Sequence, residues 1–146
     1  MSMCPIYIHL VFSTKDRYPS ITPERREETF DYIGGTLNDL GCKTHIVGGE
    51  KDHVHCLFLL NKTMSISDVV RQVKANSSKW FKEHFGCAFA WQKEYSAFSV
   101  SKAHVDRVTH YIAHQEEHHH KKTFKEEYIE FLEMQGLKYD ELFIWD

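Results

Sequence analysis

The chain has 146 residues, of which 42% are hydrophobic, 14% aromatic and 27% charged, with a formal net charge of −3. That composition is the composition of one globular domain, residues 1–146, with material for a core; it excludes a disordered tail, and the acidic balance means that any nucleic acid must be held by local patches. No apolar run nears the roughly 20 residues that cross a bilayer, and Cys4, Cys42, Cys56 and Cys87 stand singly without C-x-x-C spacing, so a cytoplasmic protein with reduced thiols is expected. Histidine is heavily used, with 11 residues, which directs attention to where they sit.

Residues 6–13 read as a strand with Ile6, Ile8, Leu10 and Phe12 on one face and Tyr7, His9 and Val11 on the other. Thr22-Pro23-Glu24 then supplies a cap, a proline at the first helical position and an acidic first turn for a helix over about residues 23–40. Gly41 ends it. A strand over residues 43–47 follows, expected to turn at Gly48-Gly49 and return over 53–60 as a hairpin. Ser65 or Ser67 caps a second helix, whose Ile66, Val69, Val70, Val73, Trp80 and Phe81 recur at helical spacing. The fourth strand is clearest at 98–101, a helix is expected over about 102–119, and a last helix over about 124–134. Strand, helix, strand, strand, helix, strand is the split βαβ order. An α+β, ferredoxin-like fold is therefore expected, with a four-stranded antiparallel sheet, two helices on one face and further C-terminal helices.

His53 and His55 in the third strand project to one face, their Cα atoms about 6.6 Å apart, close enough for both rings to reach one metal; hydrogen-bonded strand histidines would look the same. On the 102–119 helix Arg107, Tyr111 and Gln115 recur at i, i+4, i+8 on a polar stripe, opposite Val105, Val108 and Ile112. A phenol can be a covalent nucleophile, an amide oxygen can ligate a hard cation and a guanidinium can clamp a phosphate, while a tyrosine packed at a helix margin is the plainer explanation. Lys15, Arg17, Arg71, Lys74 and Lys82 fit either a solvated surface or contacts to a nucleic-acid backbone, and structural roles are expected for His9, His45 and His110.

The segments H-L-V-F-S-T-K-D-R (9–17), D-H-V-H-C-L-F (52–58), F-S-V-S (98–101) and V-T-H-Y-I-A-H-Q-E-E-H-H (108–119) resemble the small single-tyrosine HUH transposases of bacterial insertion sequences, the IS200-like transposases. The likeness runs over nearly the whole chain. It implies metal-dependent cleavage and strand transfer on single-stranded DNA at hairpin-bearing element ends, through a 5′-phosphotyrosine. Carried over by position, it makes His53, His55 and Gln115 ligands of Mg²⁺ or Mn²⁺ and Tyr111 the nucleophile; it leaves the DNA-binding surface undefined, and Lys15, Arg17, Arg71, Lys74 and Arg107 are candidate DNA contacts on their charge alone.

The resemblance also implies a homodimer in which His53 and His55 of one subunit meet Tyr111 of the other. The sheet face bearing Tyr7, Val11, Leu57 and Leu59 gives an independent motive, since it is more apolar than a lone small domain exposes. Two competing readings are a non-catalytic relative that binds hairpin DNA or RNA, and a zinc hydrolase using His53, His55 and one of His118, His119 and His120 with water as nucleophile.

Overall fold

Period-two alternation in the strands and a 3.6-residue stripe in the helices predict which faces must meet, and a computed structural model of the chain brings them together in that way. The structure describes residues 2–115 together with Glu126 and Ile129. Its elements are β1 (Tyr7–Ser13), α1 (Pro23–Asp39), β2 (Lys43–Glu50), β3 (His53–Leu59), α2 (Ile66–Phe85), β4 (Ser96–Val100) and α3 (Val105–Ala113). They form an antiparallel sheet in the order β2-β3-β1-β4, the ferredoxin-like arrangement. Among the described residues no helix is long and apolar enough to cross a membrane.

One sheet face carries the main core. Ile8, Leu10 and Phe12 of β1 and Val54, Cys56 and Phe58 of β3 pack with Ile33 and Leu37 of α1 and Val69, Val70, Val73 and Phe81 of α2. Ser65 caps α2 by accepting from the backbone N–H of Asp68 at 3.1 Å, and Gly86 closes the helix. Ile6, expected on the same strand face, precedes the strand and is 44% exposed.

The opposite face is covered too. Val105 and Ile112 of α3 pack on Tyr7 and Leu57, so every residue of β1 is buried. Tyr7, Val11 and Leu57, apolar residues of this face, are buried within the chain itself. A single-turn 3-10 segment, Lys102–His104, takes up the start of the expected 102–119 helix and redirects the chain from β4 onto the sheet. Residues 116–119 lie outside the described residues, as does the expected 124–134 helix apart from Glu126 and Ile129, both helical.

The hairpin turn is displaced from its expected place. Gly48, Gly49 and Glu50 pair with His55, Val54 and His53, so β2 runs on through the glycines and turns at Lys51-Asp52. The glycines serve close approach instead of reversal. A Cβ on Gly48 would lie 2.8 Å from both Cγ2 and the carbonyl oxygen of Ile112, and one on Gly49, at φ +149, would lie 2.2 Å from the carbonyl oxygen of His53. Gly48 is thus where α3 comes down on the sheet. Gly48→Ala is expected to push α3 off β2 and to lower the unfolding free energy by about 1–3 kcal/mol, the usual cost of overpacking; an unchanged denaturation midpoint would contradict this contact.

Candidate active site

β3 presents His53 and His55 on the face covered by α3, at 0% and 3% exposure. The β1/β3 register sets His9 opposite Leu57, which makes His9 the diagonal neighbour of His55 on that face. Nε2 of His9 lies 2.9 Å from Nδ1 of His55, with the ring centroids 5.1 Å and the ring planes 29° apart. His53 turns its Nδ1 to Oδ1 of Asp52 at 2.8 Å, while Oδ2 of Asp52 accepts from the Arg17 guanidinium at 3.4 Å. Burial alone would raise the Asp52 carboxyl, but the hydrogen bond from His53 and the neighbouring Arg17 guanidinium outweigh it and hold the group below the ordinary carboxylate range.

From the other side the chain just past the end of α3 brings Gln115, itself 1% exposed, so that its Oε1 lies 3.2 Å from Nε2 of His53. The amide N–H donates to the carbonyl oxygen of Tyr111 at 3.3 Å, which orients the oxygen towards the imidazole. Tyr111 stands one helical turn earlier and sets its ring edge-on to His55, with centroids 5.7 Å apart. His53, His55, Tyr111 and Gln115 therefore meet in one layer between β3 and α3.

The donors suit a hard divalent cation. With Nδ1–H of His53 given to a carboxylate, Nε2 offers a lone pair that faces another acceptor, the Gln115 oxygen. A 3.2 Å separation suits neighbouring ligands on an octahedral ion with bonds of about 2.0–2.2 Å, whose adjacent donors lie roughly 3 Å apart. Among the described residues no three His, Cys, Asp or Glu side chains form a metal-holding group, so a cation here has to take the amide oxygen with imidazole. His118, His119 and His120, on which the zinc reading depends, lie outside the described residues.

The candidate DNA contacts do not share one surface. Lys15 and Arg17 sit in the turn after β1 that is tied to Asp52, and Arg107 is exposed on α3. Arg71 is exposed on α2, across the sheet from the histidines, and is paired with Asp68 at 3.4 Å. Lys74 is drawn inward: its ammonium donates to the carbonyl oxygens of Gln92, Lys93 and Glu94 at 2.9, 3.2 and 2.9 Å, fastening the loop before β4. Two residues of the site escape notice in the sequence alone. Asp52 directly precedes the H-V-H triplet and His9 alternates onto the same face, and both lie within the segments 52–58 and 9–17 that carry the resemblance, but nothing in the spacing joins His9 to His55.

Comparison with known proteins agrees with this architecture. A family model described as "Transposase IS200 like" matches residues 2–115. A crystal structure of a candidate transposase from Deinococcus radiodurans is similar at a TM-score of 0.64 and 21% identity, over 78% of this chain and 93% of its own. A REP-associated tyrosine transposase bound to a REP hairpin is similar at a TM-score of 0.61 and 15% identity, over 82% of this chain and 71% of its own. At these identities both show the fold. No curated protein matches the chain.

Burial holds the His9 imidazole down to about 4, from an ordinary 6.5. Unfolded chains take up that proton near 6.5 and folded chains only near 4, so between the two the unfolded state binds more protons and stability falls as pH drops. The loss is on the order of 2 kcal/mol between about pH 7 and about pH 4.5. His9→Gln does not titrate and is expected to lack that component. Urea unfolding of both proteins at the two pH values checks it; equal acid sensitivity would refute the assignment to His9.

Proposed function

The chain belongs to the IS200-like transposase family, and from that premise we propose that it cuts and rejoins single-stranded DNA at hairpin-bearing ends through a covalent link to Tyr111. The observation that carries this reading is the convergence of Gln115 on His53, with Nε2 and Oε1 at 3.2 Å, beside a tyrosine whose ring abuts His55. A site built only to bind a hairpin has no use for that donor set. Hairpin-bearing DNA as the substrate is supported by the structural relative held on a REP hairpin.

His53, His55 and Gln115 would hold Mg²⁺ or Mn²⁺, which supplies Lewis-acid polarisation of the scissile phosphate. Neutral imidazoles and an amide leave the ion's charge largely uncancelled. The remaining chemistry belongs to Tyr111. Its hydroxyl loses a proton as the oxygen attacks phosphorus, the P–O3′ bond breaks, and the leaving oxygen becomes a free 3′-OH while the 5′-phosphate stays on the tyrosine. Attack by a 3′-OH on that phosphotyrosine reverses the exchange at another end. The phosphoester count is conserved, so no nucleotide is consumed. Lys15, Arg17 and Arg107, near the site or on its helix, are the better placed of the candidate DNA contacts; Arg71 lies across the sheet and Lys74 is held by the loop before β4.

Tyr111→Phe removes only the attacking oxygen. It is expected to keep the fold and hairpin binding while cutting the covalent protein–DNA band, formed with single-stranded flanking DNA and Mg²⁺, by at least about a thousandfold. A band of undiminished yield would eliminate Tyr111.

The sequence reading expects a homodimer whose subunits exchange the tyrosine helix. The docking of α3 on its own β2 and β3 supports instead a site completed within each chain. Mixing His55→Ala with Tyr111→Phe, under conditions where mixed dimers are demonstrated, separates the two arrangements. A site within one chain predicts no recovery of the covalent band; recovery to about a quarter or more of the wild-type yield would establish sharing.

A further inference from the structure

His53 and His55 differ in what holds them. Nδ1 of His53 faces the Asp52 carboxylate, which only accepts, so the proton on that ring is held at Nδ1 and Nε2 is left as the donor atom. Nδ1 of His55 faces another imidazole, Nε2 of His9, at 2.9 Å. An imidazole nitrogen can either give or take, so the tautomer of His55 depends on which ring carries the shared proton. We infer that His9 is a positioning residue that accepts from Nδ1–H of His55 and so keeps Nε2 of His55 available to a cation. The inference rests on the reading of His55 as a ligand and names the group that makes it one.

Geometry supports the assignment on three counts. His9 lies on the central strand β1, pinned on both sides by backbone pairing to Leu57 of β3 and Phe98 of β4, so its ring has little freedom to leave His55. It is fully buried, with Phe98 and Tyr111 around it at ring-centroid distances of 6.2 Å each. With 29° between the ring planes and centroids 5.1 Å apart, the rings meet nearly edge to edge, so an in-plane N–H of one can point at the in-plane lone pair of the other. The choice of an imidazole over a second carboxylate has a chemical consequence. Asp52 already lends negative charge to one ligand, and a neutral partner for the other leaves more of a bound cation's charge for the phosphate.

The test needs no turnover. In the metal-free full chain, ¹⁵N NMR of the imidazoles is expected to show His55 as the Nδ1–H tautomer; an Nε2–H tautomer overturns the inference. Mn²⁺ binding, read from the free-ion EPR signal, is expected to weaken about 10- to 100-fold in His9→Phe, which fills the space without an acceptor. His9→Gln can set its amide oxygen where Nε2 stood and is expected to restore binding to within about threefold. Wild-type affinity in a folded His9→Phe protein overturns the inference, as does failure of a folded His9→Gln protein to recover. If the wild-type chain binds no Mn²⁺, the metal reading of the site fails, and the tautomer of His55 in the same sample still decides the role of His9.

Discussion

Burying three imidazoles and a carboxamide between a sheet and a helix costs free energy that hydrogen bonds must offset, and where those bonds can form governs the molecule. Each histidine on the covered face is engaged through a ring nitrogen: His53 with Asp52, His9 and His55 with each other. The amide of Gln115 completes the layer from above. Such an arrangement is possible only because β1 and β3 hold a fixed register, since a slip of one residue would send His9 and His55 into the opposite core and bring Leu10 and Cys56 into the site.

The division of labour between the two faces follows from that. One face is a conventional apolar core under α1 and α2, well supplied with aliphatic and aromatic side chains, and it makes the strands rigid. The other is a thin contact in which Val105 and Ile112 of a nine-residue helix hold the polar groups of α3 over the histidines. Burying Ile112 contributes only about 1.5–3 kcal/mol. Placement of Gln115 and Tyr111 therefore leans on close fit at Gly48 more than on apolar area. A precise site is built by setting rigid strands against a helix that one crowded residue could displace.

Charge is distributed by the same logic. Basic residues that look alike in the sequence have unlike employment: Arg17 steadies the carboxylate behind His53, Lys74 binds a loop through three carbonyl oxygens, and Arg71 pairs on the surface with Asp68. With a net charge of −3, which cations remain to meet a ligand is decided by such packing and not by the total.

Local pattern determined much of this protein. The order of elements, the proline start of α1, the Ser65 cap and apolar stripe of α2, and the faces of β1 and β3 follow from spacing of 2 or 3.6 residues and from cap chemistry, which depend only on near neighbours. His53, His55, Tyr111 and Gln115 could be picked out for the same reason. What spacing could not supply is every relation between distant segments. Gly48-Gly49 resembles a turn until α3 is known to press on it, Lys74 resembles a surface cation until the loop before β4 folds against it, and His9 has no partner until register sets it beside a residue 46 positions away. Tertiary structure alone decided these, because a hydrogen bond or a steric clash between remote residues depends on where the packed sheet and helices bring them, and local sequence holds no record of that distance.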